Sequence, residues 1–121
     1  MYEIKTDLKK NRLYLTLNEK KRTRVEQVLP EMEAACRQMI SGFTCVSKLC
    51  KNHPARAETE DLFQRAQEIL LKYGVSWVVR VKKEVREGER LKMEMLGIKN
   101  GYPITYASTI RQAEKMLDQD L

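Results

Sequence analysis

A chain of 121 residues, 42 % apolar and 33 % charged, is long enough to bury one core of ordinary size and too short for two, so a single domain over 1–121 is expected without help from disulfides or metal. This balance excludes a disordered polar chain, and no apolar run approaches the roughly 20 residues that would span a bilayer. The net charge of +6 favours anionic partners but stays below that of a dedicated nucleic-acid binder, and the opening Met-Tyr-Glu-Ile-Lys lacks an apolar signal core, so the expected location is cytoplasmic.

Tyr2, Ile4, Thr6 and Leu8 alternate with charged residues, and Leu13, Leu15 and Leu17 alternate again after the polar turn Lys9-Lys10-Asn11. The spacing predicts an antiparallel hairpin with one buried face, its first strand at or near a sheet edge. From Val25 the apolar positions 25, 28, 29, 32, 35, 36, 39 and 40 follow helical period up to Ser41-Gly42. Thr23 and Glu26 have capping-box spacing, while Pro30 inside the stripe implies either a kink or a start near Leu29. Phe43 to Leu49 reads as the next strand, followed by the polar loop Cys50-Lys51-Asn52-His53-Pro54.

Residues 57 to 81 organise the rest. Leu62, Phe63, Ala66, Ile69, Leu70 and Tyr73 recur at helical spacing, with Glu58, Glu60 and Asp61 on the first turn where the helix dipole favours negative charge. Gly74 supplies the left-handed stop, and Val75, Trp77, Val78, Val79 and Val81 form a strand too apolar to be half-solvated. After the charged stretch 82–90, Leu91, Met95 and Ile98 mark a third helix ended by Gly101. Residues 102–107 follow as a short strand, with Pro103 pointing to an edge, and Ser108 or Thr109 caps a last helix that turns Ile110, Ala113, Met116 and Leu117 inward. The order ββαβαβαβα predicts an α/β fold with a mixed, mainly parallel five-stranded sheet and about four helices.

The stretches SGFTCVSKL, AQEILLKYGVSWVVRV and GYPITYASTIRQAEKML resemble successive landmarks of STAS-type domains related to the sporulation anti-sigma-factor antagonist (SpoIIAA-like), over nearly the whole chain. The resemblance implies a non-enzymatic regulatory module that works by binding. In the antagonist branch the strand matching FTCVSKL is followed by an acidic residue and a phosphorylatable serine in a glycine-containing loop. Here Lys48 stands nearest the acidic place and residues 50–57 contain neither serine nor glycine, which leaves Thr59 as the nearest hydroxyl and a weak phosphosite candidate. The related branch likened to lipid-binding SEC14 domains also lacks that serine and fits this sequence better.

His53 is the only histidine and Cys50 lies three residues before it, but no orienting group or oxyanion site accompanies them, and a solvated loop histidine is the simpler reading. Zinc would want about four ligands and a second ligand pair is missing, so neither metal nor other cofactor is expected. Cys36, Cys45 and Cys50 have no framework spacing and read as reduced thiols. Met93, Met95, Met116 and Trp77 read as core before cavity lining. No phosphate-cradling glycine pattern follows a strand.

Connectivity places the binding edge. In successive parallel βα units every strand ends at one edge of the sheet, where α/β folds take ligands. Lys20, Lys21, Arg22 and Arg24 follow the second strand, Lys48, Lys51 and Arg56 the third, and Arg80, Lys82, Lys83 and Arg86 the fourth. Lys48, Lys51, Arg56, Arg80, Lys82 and Lys83 are therefore the candidate anion-binding residues. The expected occupant is a protein partner or an anionic small molecule or lipid headgroup, with a SEC14-like apolar ligand as the alternative. A homodimer is compatible with the sequence, and nucleic acid is disfavoured because the aromatics fall on strands and helix faces rather than among the basic residues.

Overall fold

The computed structural model describes residues 2–18, 25–50, 57–83 and 86–119. Its elements run β1 (Tyr2–Asp7), β2 (Arg12–Asn18), α1 (Val25–Arg37), β3 (Thr44–Cys50), α2 (Ala57–Lys72), β4 (Trp77–Val81), α3 (Glu87–Asn100), β5 (Ile104–Ala107) and α4 (Ile110–Asp118). The five strands form one sheet in the order β1-β2-β3-β4-β5, antiparallel between β1 and β2 and parallel thereafter. This is the mixed, mainly parallel α/β architecture expected from the element order.

Register divides the side chains between two faces. Leu13, Cys45, Val78 and Ile104 stand side by side on one face, and with Val28, Met32, Ala35 and Cys36 of α1 and Leu70 of α2 they make up most of the core. Tyr14, Val46, Val79 and Thr105 share the other face, where Val46, Val79, Val81 and Ala107 pack against Ala113 and Leu117 of α4. β4 is covered on both sides, as its unbroken apolar run requires.

The turns are fixed by a few polar contacts. At the hairpin Asn11 adopts φ 53°, a left-handed conformation that asparagine tolerates, and Asp7 Oδ1 accepts the Lys10 N–H at 3.1 Å. The Asn11 side chain clamps the loop after α1 by accepting the Ile40 N–H and donating to the Ile40 carbonyl. Gly74, at φ 90°, ends α2 while the Val75 N–H reaches back to the Leu70 carbonyl, the closure typical of a Schellman stop. A Cβ on Gly74 would also meet the Ser41 hydroxyl. Thr109 caps α4, its hydroxyl oxygen accepting the Gln112 N–H at 3.0 Å.

Several boundaries differ from the sequence reading. α1 starts at Val25 and runs through Pro30 on its exposed side, so the start near Leu29 is not adopted. It ends at Arg37, and the chain closes with two tighter turns, Gln38 to Ala35 and Met39 to Cys36, leaving Ile40 exposed. β4 begins at Trp77 because Val75 belongs to the helix stop. Thr23 lies outside the described residues. Cys36 and Cys45 are buried free thiols, and burial pushes both upward in pKa, Cys36 to about 11.

α3 approaches the sheet through a glycine. A Cβ at Gly97 would stand 2.8 Å from the Tyr102 carbonyl oxygen and 3.2 Å from the Ile104 nitrogen, both backbone atoms that cannot step aside. In an open helix Gly→Ala stabilises by about 1 kcal/mol. Gly97→Ala is instead expected to lower stability by about 1–3 kcal/mol in urea unfolding, the cost of overpacking. A stabilised variant would show that α3 does not lie this close to β5. Val79→Asp, which buries an unpaired carboxylate, is expected to abolish the cooperative unfolding transition.

Candidate functional site

β2 to β5 run parallel, so their C-terminal ends share one edge of the sheet. At that edge Lys82 and Lys83 are exposed just beyond β4, and the exposed Arg86 is the N-cap residue of α3 without a side-chain capping bond. Lys48 is half-buried on β3 and lies in register with Val81, on the α4 face. Arg80 belongs to the opposite face, in register with Ser47 and Tyr106. Its half-buried side chain has an enclosed Nε, and desolvation lowers its pKa, opposed by Tyr106, Tyr102 and Cys45 nearby. Alternation along β4 thus separates Arg80 from Lys48. Lys82 and Lys83 stand with Arg86 at the strand end. Lys51, Arg56, Lys20, Lys21, Arg22, Arg24 and His53 lie outside the described residues. Thr59 is the third residue of α2.

The opposite edge carries a charge cluster that alternation alone does not reveal. Arg12, only 1 % exposed, places Nη1 3.0 Å from both Glu114 Oε1 and Asp118 Oδ1. Neither carboxylate oxygen lies in line for a hydrogen bond to Nη1, so the contacts act as ion pairs, while Nε donates to the Thr44 hydroxyl at 3.3 Å. Lys10 adds contacts of 3.3 and 3.4 Å to the same carboxylates, and the Tyr14 hydroxyl donates to Glu114. Burial, with the Glu114 contact, pushes Tyr14 up to about 12. At Glu114 burial opposes ionisation, but the Tyr14 hydrogen bond and the Arg12 ion pair outweigh it and hold the carboxyl below its usual range. Asp118 is lowered in the same way by Arg12 and Lys10 against a burial penalty.

Beside this cluster lies a cavity of about 390 Å³, open on one side, lined by Lys10, Asn11, Arg12, Thr44, Ser76, Trp77, Pro103 and Leu117 among others. Its size suits a small ligand. The two cations that line it already face Glu114 and Asp118, and the half-buried Trp77 donates its indole N–H to the Thr105 hydroxyl at 2.8 Å. Among the described residues no group of three or more His, Cys, Asp or Glu side chains is placed to hold a metal ion, and no helix is long and apolar enough to cross a membrane.

The third candidate is the flank formed by α3 and β5. Leu91, Met95 and Ile98, spaced i, i+4 and i+7 along one side of α3, are 57 %, 70 % and 83 % exposed. The stripe that marks this helix in the sequence therefore faces solvent, and Met95 is neither core nor cavity lining. Beside it an apolar groove of about 420 Å³ runs between α3 and β5, lined by Glu94, Gly97, Ile98, Gly101, Tyr102, Pro103, Ile104 and Thr105.

No family model matches the chain, and neither a curated protein nor a solved structure matches it.

The lowered carboxyl pKa values of Glu114 and Asp118 set a pH dependence with a definite sign. Each contributes stability that is complete above its unfolded pKa, near 4, and is lost as pH falls through the folded value. Urea midpoints are expected to fall between about pH 5 and pH 3. In Glu114→Gln/Asp118→Asn the fall should be smaller, from a lower starting stability, because buried Arg12 has lost its counter-charges. An equally steep fall in this variant would show that the cluster does not govern the acid limb.

Proposed function

We propose that this chain is a non-enzymatic interaction module that binds a protein partner on the α3 flank. The observation that carries this reading is the exposed stripe Leu91, Met95 and Ile98. Scattered surface leucines are ordinary, but three large apolar side chains aligned on one helix beside an apolar groove form a contiguous patch of the kind that marks interaction surfaces. Burying each such side chain fully is worth roughly 1.5–3 kcal/mol, so a partner covering the stripe would gain enough to offset part of the cost of association.

The partner is of acidic character. Among the described side chains of α3 and its lead-in, Lys82, Lys83, Arg86, Arg90, Lys92 and Lys99 are exposed beside the acids Glu87 and Glu94; with Glu84 and Glu89 of the same sequence stretch the balance stays basic by two. A basic surround of this kind speeds encounter with an acidic surface and disfavours basic ones. The resemblance of the sequence to STAS-type domains, which implies a binding module, agrees with this reading. So does the openness of both cavities, which suits a docked partner better than the enclosed apolar ligand of the SEC14-like alternative. A second reading, an anionic small molecule or lipid headgroup at the C-terminal edge, rests on Lys82, Lys83 and Arg86 standing together at the start of α3.

The triple variant Leu91→Ser/Met95→Ser/Ile98→Ser separates the two. It is expected to fold with a melting temperature within a few degrees of the parent, because the side chains are exposed, and to lose the protein recovered with the parent by affinity capture from the cells that make it. That recovered protein, once purified, should bind the parent directly and bind the variant at least about tenfold more weakly. Equal binding to both would remove the stripe from the site. Loss on Lys82→Glu/Lys83→Glu alone, with retention of phosphatidylserine liposomes by the parent, would favour the anionic ligand.

A further inference from the structure

We infer that α3 docks on α3 of a second copy of this chain, parallel and in register, and that this weak dimer competes with the protein partner for the same stripe. The inference rests on the reading of the α3 flank as a binding surface and adds the regulation of access to it.

Spacing carries the first half of the argument. Leu91, Met95 and Ile98 follow the 4-3 step of a heptad, so they take positions d, a and d, with Gly88 at the preceding a. Their exposures of 57 %, 70 % and 83 % turn this seam to solvent, while Gly97, at c, is where the helix meets the backbone at Tyr102 and Ile104. The exposed e positions are then Lys92 and Lys99, and the exposed g positions are Glu87 and Glu94. Arg86 and Arg90 fall at f and c, off the seam. A net count of charge on α3 hides this order: one flank of the stripe is basic and the other acidic.

Charge selects the occupant. In a parallel pair each g residue meets the following e residue of the neighbour, which joins Glu87 to Lys92 and Glu94 to Lys99 of the second copy, and the reverse by symmetry. Every such contact is of opposite sign. In an antiparallel pair g meets g and e meets e, so glutamate would face glutamate and lysine would face lysine. Among the described residues none of these four side chains forms an ion pair within its own chain, so all are available to a neighbour. The helix dipole accounts for Glu87 in the first turn and Lys99 in the last, but not for Lys92 and Glu94 in the middle.

The 14 residues of α3 span two heptads, too few for free peptides to pair, because their helices would have to form at the same time. Here α3 is already built into the domain, so association does not carry that ordering cost. The contact still falls short of the roughly 1,200 Å² of stable complexes, which sets a weak, reversible dimer with Kd between about 10 µM and 1 mM. Gly88 adds to the weakness: at position a it offers the seam no side chain, although nothing lies within 4 Å of where a Cβ would stand. A partner that covers Leu91, Met95 and Ile98 has to displace the second copy, so dimer and complex exclude one another.

The test is sedimentation equilibrium of the full chain from about 10 µM to 1 mM. The parent is expected to fit a monomer–dimer equilibrium. Lys92→Glu/Lys99→Glu and Glu87→Lys/Glu94→Lys should each stay monomeric over this range, and their equimolar mixture should dimerise at least as tightly as the parent, which also shows that both variants fold. Gly88→Leu, which adds an apolar side chain to the seam, should lower Kd about tenfold. If the parent and Gly88→Leu are both monomeric throughout, or if the mixture does not dimerise, the inference is overturned, and the partner-binding reading stands or falls on its own capture experiment. Equal dimerisation of the parent and Leu91→Ser/Met95→Ser/Ile98→Ser would place the contact elsewhere and overturn it too. If the triple variant loses the dimer yet binds a captured protein as well as the parent does, the helix pairing stands and the partner-binding reading of the flank fails. A captured partner should dissolve the dimer, and a complex that holds the partner and the second copy together would overturn the competition.

Discussion

The constraint on which the rest of this structure depends is the strand order. β2, β3, β4 and β5 are laid down side by side in chain order and all in parallel. Crossovers between parallel neighbours are right-handed, so three successive steps in one direction put α1, α2 and α3 on the same side of the sheet. α1 and α2 pack together over the Leu13–Cys45–Val78–Ile104 face, and Leu71 of α2 lies against Gly101 at the end of α3. Among the described residues that leaves one nine-residue helix, α4, for the other face.

The two unusual features of the molecule follow from this imbalance. A short helix cannot bury a five-stranded face by apolar contact alone, and α4 contributes only Ala113 and Leu117 as fully buried residues. Met116 packs partly buried beside them, Ile110 is exposed rather than inward, and Glu114 and Asp118, one turn apart, meet Arg12 and Lys10 at the start of β2 and the end of the hairpin turn. Burying a guanidinium costs several kcal/mol, and only the two carboxylates and the Thr44 hydroxyl around it make the position tolerable. The cluster therefore fixes where α4 sits more than it adds net stability. On the crowded face the opposite problem arises: α3 is the last of three helices, over the edge strand, and reaches the sheet through Gly97 rather than through its large apolar side chains.

How legible this was in the sequence depends on what each signal encodes. The helix–glycine–strand unit from 57 to 81 was readable because Gly74 and the valine run each admit one local structure, and the strand ends followed within one or two residues. Arg12 was not. Alternation shows that Leu13, Leu15 and Leu17 share a face but is silent on whether the second face is covered, so a charged residue there reads as solvated. The pair Glu114 and Asp118 at i, i+4 on a short helix of a basic chain was the available hint. The α3 stripe was readable as a helix but not as a surface, because apolar residues at helical spacing ordinarily mark the buried side, and the contact that reverses the expectation is made by a glycine, which carries no hydrophobic signal. The basic edge was legible as connectivity, and alternation along β4 explains why Arg80 turns to the other face from Lys48.

The proposed binding surface is thus the α3 flank rather than the strand ends alone, where an incompletely packed helix adjoins an apolar groove. Its most direct test is site-specific photo-crosslinking in the cells that make the protein, with the photoreactive residue placed at Met95 and, as a control of similar exposure on the distant hairpin, at Leu8. A discrete protein adduct is expected from position 95, and only diffuse background from position 8. Matching diffuse background from both positions would contradict it.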